Sequence, residues 1–444
     1  MRLDPLRRAL GGLTLAAVMA SPAFAQEPAP QRLALEEAQT RALQASHRVA
    51  EVRAREAAAQ GAVDVRATAA RPLVSALAGY TRTNHVLEFT VPGPTGAPRV
   101  LYPDVPDNYR ARLDLQWPIY SGGRTDALER AARAEASAVA AELTVTQADL
   151  RLEVARAFWA LVTANSAVGV IGDGLTRSRA HLEAARQRLA AGLVPPNEVS
   201  SAEAEESRQR LLLIEARNQR DVTMAALARL TGFDVLQPVE PVATLEAPAG
   251  TEPRLEALVA EARGLRMERQ AMQRRIEGAD DLRAAAAAGR RPVVAVAGGI
   301  DYARPNPRIF PRANLWDDSW DAGINISWPL WDGGRTKADI AQTSGAAEAA
   351  RQRLAEFDST LALEIHQRLI DLDSGRAAVA TSEDTIRAAT EARRIVTERY
   401  QAGVAQNTEM LDANFALLQA ELDRTRAMAA VRLAEARLAR ALGR

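Results

Sequence analysis

The sequence predicts a mainly α-helical subunit with a membrane β-barrel: long antiparallel coiled-coil helices plus four transmembrane strands, too few to close a barrel alone. Three observations carry this. The segment Trp117-Pro118-Ile119-Tyr120-Ser121-Gly122-Gly123-Arg124-Thr125 returns as Trp328-Pro329-Leu330-Trp331-Asp332-Gly333-Gly334-Arg335-Thr336. The same 211-position offset relates Gly192 to Gly403 and Gly232 to Gly443, so about 115 residues repeat without a slip and imply two equivalent halves. Two windows of period-two alternation interrupt a chain otherwise rich in Ala, Leu, Glu, Arg and Gln, a composition that favours helix.

Residues 1–25 have the pattern of an export signal. Arg2, Arg7 and Arg8 precede an apolar stretch from Ala9 to Ala20, and Ala23-Phe24-Ala25 is a small-x-small cleavage site, so the mature chain is expected to begin at Gln26. The stretch is about a dozen residues, short of the roughly 20 that span a bilayer as a helix. The first repeat is expected over 26–240 and the second over 241–444.

In the first window Tyr109, Ala111, Leu113, Leu115, Trp117 and Ile119 share one face, with Arg110, Arg112, Asp114 and Gln116 on the other. In the second, Trp320, Ala322, Ile324, Ile326, Trp328 and Leu330 face one way and Asp321, Asn325 and Ser327 the other. Strands are therefore predicted over 109–119 and 320–330. Each has a weaker partner following a proline, at 73–82 and 293–302, reached through Pro/Gly/Asn-rich loops near 83–108 and 303–319. Ten of the twelve Trp and Tyr residues sit in or beside these windows. Apolar-out, polar-in strands edged by aromatics suit a lipid-facing barrel, with Trp117, Tyr120, Trp328 and Trp331 at the membrane interface. A soluble antiparallel sheet packed on helices would show the same alternation without that segregation. Open edges are not tolerated in lipid, where each unpaired backbone group costs several kcal/mol, so the strands must close a ring with other copies.

From about Gly122 to Ala191 no helix breaker interrupts the chain for about 70 residues, or roughly 105 Å. Leu161, Val168, Leu175, Leu182 and Leu189 recur by sevens, after Leu143, Leu150 and Val154. At the repeat offset stand Leu354, Leu361, Ile365, Leu372, Val379, Ile386, Arg393 and Tyr400, an aliphatic stripe that changes chemistry only at its last two positions. Ser121 and Asp332 are suited to cap the long helices. Gly122, Gly123, Gly333 and Gly334 permit the turn from strand to helix. Gly192 and Gly403 follow helix ends, and Pro195-Pro196 prevents the first helix from resuming. Shorter helices are expected over 197–231 and 253–289, stacked end to end, and over 408–442, stacked with one over 33–70. Pro238, Pro241 and Pro248 mark a side layer at mid-height.

Other function classes lose support from composition. The 56 acidic and 56 basic residues cancel, so no net field favours nucleic acid. No cysteine is present, which excludes disulfides, thiolate metal sites and lipid attachment at an N-terminal cysteine. Lys337 is the only lysine, and the arginines are interleaved with glutamates as on solvated helix faces. His47, His85, His181 and His366 show no ligand spacing, and no Gly-rich phosphate loop occurs. An enzyme, a cofactor and a metal site are therefore not expected. Gly172-Asp173-Gly174 reads as a loosening of the long helix in one half. Beyond the N-terminus no run of 18 apolar residues predicts a membrane helix. The alternative is a soluble periplasmic coiled-coil adaptor or adhesin stalk. A passive porin needs no reach of about 100 Å.

The duplicated Trp-Pro-(Ile/Leu)-(Tyr/Trp)-(Ser/Asp)-Gly-Gly-Arg, with Arg399-Tyr400-Gln401-Ala402-Gly403 and the less complete Arg188-Leu189-Ala190-Ala191-Gly192, resembles the TolC family of outer-membrane efflux ducts over the whole mature chain. The resemblance implies a homotrimer with a twelve-stranded barrel in outer-membrane lipid and an α-helical barrel through the periplasm. It implies a tip, at Gly192, Leu193, Val194, Gly403 and Val404, that docks on a periplasmic adaptor attached to an inner-membrane pump or secretion ATPase. It also implies an entrance constriction, carried onto Tyr400, Glu409, Asp412 and Glu198. Gln406 departs from the usual small hydroxyl residue there, and glutamates replace aspartates. An acidic ring would concentrate cations; first-turn acids favoured by the helix dipole would look the same. Differences between the repeats gather at this end: Leu182 against Arg393, Leu189 against Tyr400, Pro195-Pro196 against Gln406-Asn407.

Overall fold

The structure, a computed structural model, describes residues 30–94, 96–245 and 254–444. The export signal expected at 1–25, together with Pro248 and Pro253, lies outside them. The described chain opens with β1 (Gln31–Leu33) and α1 (Leu35–Ala45), then breaks at Ser46, φ −72° and ψ 117°, before α2 (His47–Thr68). The Val49 N–H donates to Ser46 Oγ at 3.4 Å, an N-cap in the middle of the single helix expected over 33–70. After β2 (Leu73–Arg82), a hairpin of β3 (Phe89–Pro92) and β4 (Pro98–Tyr102) leads to β5 (Asp107–Tyr120) and the 67-residue α3 (Arg124–Ala190), about 100 Å long. Next come α4 (Pro196–Leu230), begun by a proline at its first turn, and β6 (Val239–Pro241). The helix expected over 253–289 is also two, α5 (Leu255–Leu265) and α6 (Met267–Ala287), broken at Arg266 with ψ 115°. Strands β7 (Val293–Arg304) and β8 (Asp317–Ser327) lead to α7 (Arg335–Gln401), again 67 residues, and α8 (Asn407–Leu442).

The main sheet has the order β2-β5-β7-β8, antiparallel throughout. Strand β8 stops at Ser327, short of the expected Leu330, whereas β5 continues through Tyr120. The difference lies in neighbours. Pro118 and Tyr120 pair with Ala295 and Val294 of β7 across a bulge, while β8 is an edge and Pro329 has no N–H to donate. The repeat does slip once, ahead of the signature. Leu73 and Val293 open equivalent strands 220 positions apart, against 211 for Trp117 and Trp328. The extra residues of the first half lie between its strands, where β3 and β4 form; the sequence reading had assigned that stretch to loop.

Each long helix buries the predicted stripe. Leu150, Val154, Phe158 and Leu161 of α3 pack with Val49 and Leu227, and Leu361, Ile365 and Leu372 of α7 pack with Leu258, Val431 and Leu438. Near the far end Leu182 and Ala185 meet Val199 and Ala202 of α4. The end-to-end partners differ from expectation. α4 runs into α1: Arg41 Nε donates to the Thr231 carbonyl at 3.1 Å, and a Cβ on Gly232 (φ +75°) would lie 2.5 Å from that of Ala45. α8 runs into α5: Gly443 (φ +85°) abuts Leu265 in the same manner. Residues 33–70 thus stack with 196–230, and 255–287 with 407–442, because the segment after α4 crosses from one stack to the other. It carries β6, which pairs parallel with β1 at mid-height. One stretch of α3 passes the length and composition test for a membrane helix, contrary to the sequence expectation. Its helix contributes to the mid-height core, packing on apolar residues of α1, α2 and α4, and 39% of that stretch is buried within the single chain.

Candidate functional site

The apolar face of the sheet is exposed. Trp320 is 74% and Ile326 70% accessible, and Val74, Leu113, Ile119, Ile300 and Ile324 are exposed with them. Such a band on a monomer marks a surface covered by something apolar. At its outer end Tyr80, Tyr109, Trp316 and Tyr302 form a chain of rings with centroid separations of 5.0, 6.0 and 4.9 Å. At its inner end stand Trp117, Tyr120, Trp328 and Trp331, all exposed. Eight residues along β5 separate Tyr109 from Trp117, about 26 Å, which matches the roughly 25 Å apolar band between the aromatic girdles of outer-membrane barrels. The two signature tryptophans are also anchored alike. Trp117 Nε1 donates to Ala70 O at 3.2 Å and Trp328 Nε1 to Arg290 O at 3.1 Å, so each indole ties its strand to the turn that begins the neighbouring strand.

Across the sheet, the opposite face carries a charged network. Asp301, 2% exposed, accepts from Arg110 Nε at 2.5 Å and pairs with Arg112, which also reaches Asp114 at 2.6 Å and Asp321 at 2.9 Å. Arg112 crosses β7 to do so over Gly299, where a Cβ would sit 2.7 Å from its guanidinium. A polar, ion-paired face opposite an apolar one is what a lumen and a lipid surface require.

Where strand becomes helix, Gly122 and Gly123 take φ +67° and +85°, and Gly333 and Gly334 +65° and +89°. Gly123 and Gly334 hold the cap positions, and the capping oxygens come from two residues earlier. Thr125 N–H donates to Ser121 Oγ at 3.2 Å, and Thr336 N–H to Asp332 Oδ2 at 2.9 Å. The copies differ in crowding. A Cβ on Gly122 would lie 2.7 Å from that of Arg291, whose guanidinium holds the Gly122 carbonyl at 2.9 Å, whereas Gly333 faces open space. Gly333→Ala should cost only the left-handed backbone, about 1–2 kcal/mol. Gly122→Ala should add about 1–3 kcal/mol of overpacking. Unfolding midpoints in detergent should order them accordingly; equal shifts would show that the Arg291 contact relaxes freely.

At the other end α3 and α7 close with the same hydrogen-bond pattern. Leu193 N–H donates to Arg188 O and Val404 N–H to Arg399 O, each at 2.9 Å, around Gly192 (φ +67°) and Gly403 (φ +78°). Leu193 and Val404 project 69% and 68% exposed, with Val194 half-buried beside them. Tyr400 instead turns inward, 5% exposed. Its hydroxyl donates to Glu198 Oε2 at 3.2 Å, its carbonyl accepts from Arg188 Nη1 at 2.7 Å, and that guanidinium lies 4.6 Å over its ring. His181 Nε2 donates to Asn407 Oδ1 at 2.7 Å, with its ring 5.2 Å from that of Tyr400. The four expected constriction residues therefore separate. Tyr400 and Glu198 meet. Glu409 is committed to its own helix, accepting the Gln406 N–H at 3.0 Å as a capping box and pairing with Arg399 at 3.4 Å. Asp412 is exposed and forms no hydrogen bond or ion pair among the described residues. Arg188, His181 and Asn407 were missed by sequence reading. Arg188 carried a usable signal, since it matches Arg399 in the duplicated helix end.

A sheet with two open edges, a girdled apolar face and a charged inner face, continuous with helices of about 100 Å, defines a membrane-anchored duct. The family model described as outer membrane efflux protein matches residues 39–233 and 258–444, and the chain belongs to that family. It is an efflux protein of the outer membrane, with its helices on the periplasmic side. The chain is similar to protein CyaE of Bordetella pertussis, 26% identical over 305 residues, 68% of this chain and 63% of CyaE, so it spans somewhat under two thirds of that relative. It is similar to outer membrane protein TolC of Vibrio cholerae, 24% identical over 300 residues, 66% of this chain and 67% of TolC. In fold it matches the solved structure of the outer membrane protein VceC of Vibrio cholerae with a TM-score of 0.75 at 22% identity, over 92% of this chain and 96% of VceC.

Proposed function

We propose that three copies close a twelve-stranded barrel and a helical tube, and that the tube receives its substrate at the α3–α4 and α7–α8 ends. The delivering partners are a periplasmic adaptor and an inner-membrane pump or secretion ATPase. The observation that carries this reading is the four-stranded sheet, whose order leaves β2 and β8 as antiparallel edges. Joining β8 of one copy to β2 of the next satisfies both, and lipid tolerates no other arrangement of unpaired backbone. The duct contributes reach and a passage, not chemistry. Tyr400, Glu198 and Asp412 form the entrance constriction in this reading, and Glu409 serves mainly as a cap.

Extraction distinguishes the duct from a soluble stalk. Membranes containing the protein should release it only with detergent, as a trimer that persists in mild SDS until heated; release by salt or alkaline wash as a monomer would remove the barrel. The constriction has its own measurement. In planar bilayers Asp412→Asn should lower cation preference and Glu409→Gln should change it little. The reverse order would return the role to Glu409.

A further inference from the structure

Adjacent antiparallel strands such as β7 and β8 can be joined by a turn of about two residues. Residues 305–316 join them instead, and this longer path is tied back onto the sheet. The chain bends at Asn306, 2% exposed, whose Nδ2 donates to Asp317 O at 3.0 Å and to Ser319 Oγ at 3.1 Å, while its Oδ1 accepts the Arg308 N–H at 2.9 Å. Ser319 is the partner of Asp301 in the β7–β8 ladder and shares its charged face, so the loop turns towards that face. Ala303, two residues beyond Asp301 on the same face, is 2% exposed although it stands near the end of its strand.

Two arginines hold the loop there. Arg308 donates to Trp320 O at 2.9 Å and pairs at 2.8 Å with Asp321, the carboxylate of β8 that also meets Arg112. Arg312 donates to Asn108 Oδ1 and to Tyr102 Oη, each at 2.6 Å. Asn108 belongs to the charged face of β5, two residues before Arg110, and Tyr102 ends β4. Strand β7 lies between β5 and β8. The loop of the second half therefore spans the charged face of β7 from one neighbour to the other, and takes the first-half hairpin with it. Between its two anchors Phe310 projects, 74% exposed.

We propose that this loop is a restriction at the outer end of the duct. Arg308 and Arg312 hold it across the lumen, and Phe310 from each copy narrows the opening, which sets the size of solute that passes there. The proposal rests on the three-copy barrel and adds a size-determining element at the end away from the helical turns. Apolar rings at a constriction resist wetting as well as passage. The anchors are individually modest, as partly exposed ion pairs are, so the loop can yield to cargo driven from the periplasmic side.

The chain contains no cysteine, so single introduced cysteines report access directly. Leu87→Cys, at a residue 96% exposed beside the first-half hairpin, marks the outer surface. Gln116→Cys, on the charged face of β5 eight residues beyond Asn108, marks the barrel interior. Intact cells expressing either variant receive a small charged maleimide or a rigid maleimide-cyclodextrin. Both reagents should react quickly at Leu87→Cys. At Gln116→Cys the small reagent should react, and the cyclodextrin should react far more slowly than at Leu87→Cys. Adding Arg308→Ala with Arg312→Ala, or Phe310→Ala alone, should raise that slow rate at least about tenfold, the factor given by about 1.4 kcal/mol of lost anchoring or packing. The small-reagent rate should stay the same, and heat-resistant oligomer shows that each variant is assembled. Equal cyclodextrin rates at the two cysteines would overturn the restriction and leave the barrel in place. A slow rate at Gln116→Cys that neither set of substitutions changes would overturn it equally, since the narrowing would then lie outside this loop. Leu87→Cys that reacts only in broken cells would overturn the outward orientation of this end, and the proposal with it.

Discussion

Removing the hydrogen bond that Tyr400 donates to Glu198 is expected to leave the duct conducting at rest. The double variant Tyr400→Phe, Glu198→Gln keeps both side-chain volumes and the ring contacts with His181 and Arg188, and deletes the 3.2 Å bond between α7 and α4. Hydrogen bonds to charged groups are worth about 1.5–3 kcal/mol when buried. Glu198 is half-exposed, so about 1 kcal/mol per subunit is the reasonable figure. Three subunits moving together lose about 3 kcal/mol, roughly a hundredfold in the ratio of constricted to open states. Burial, and then Glu198, raise the Tyr400 pKa above its ordinary value, so the phenol remains a donor across the range in which outer-membrane proteins are handled, and alkaline buffer should not mimic the variant. Planar-bilayer recordings check this directly. Large resting conductance in the double variant, with Arg188→Ala giving a smaller rise, fits a latch at Tyr400. Unchanged conductance in a properly assembled double variant would place the constriction elsewhere.

Much of this architecture was legible because it was written twice. An aromatic-flanked strand followed by two glycines states where a strand turns into a helix, and a glycine after a heptad stripe states where a helix ends, so the turns at Gly122 and Gly192 and their repeats could be placed from pattern. Local order also fixed α4, whose start after Pro195 and end at Leu230 follow from proline and glycine chemistry. What escaped were features decided by distant parts of the chain. Gly264 only weakens the helix near Arg266; the break is held by a distant contact, the Arg266 side chain reaching carbonyls at the end of α8. The stacking of α4 on α1 depends on which way the segment after residue 230 crosses, and two equally long candidates were available. Strands β3 and β4 are short and carry prolines, so their alternation is no stronger than chance. At the tip the sequence grouped four residues by distance from a glycine, whereas geometry sorts them by partner: Glu409 to its own cap, Glu198 to Tyr400, Asp412 to solvent.

The kink at Arg266 is also where the second large effect is expected. Arg266 is 7% exposed and joins three helices. Its Nη1 donates to Ala441 O at 3.1 Å, at the open C-terminus of α8, its Nε to Glu268 Oε2 at 3.0 Å, and it meets Glu364 of α7 at 3.3 Å. Arg440 brings α8 and α3 to the same point through Glu268 and, at 2.7 Å, Asp149. Removing one member of a buried ionic cluster leaves the others uncompensated, at about 3–5 kcal/mol; with Glu364 partly solvated, about 3 kcal/mol is expected for Arg266→Leu. Burial pushes the Glu268 carboxyl up, but the hydrogen bond from Arg440, that from its own backbone and the charge of Arg266 together bring it below its ordinary value of 4.5. A folded pKa below the unfolded one means that Glu268 contributes stability above pH 4.5 and loses it as the pH falls through the folded value. Thermal unfolding of the detergent-solubilised protein should therefore show a large deficit for Arg266→Leu at neutral pH that narrows in acid, because the wild type loses the same interaction there. Arg266→Lys should fall between them, since one ammonium cannot serve a carbonyl and two carboxylates in a planar fork. A deficit independent of pH would mean that the joint is held by the carbonyl contacts at the end of α8 rather than by its charges.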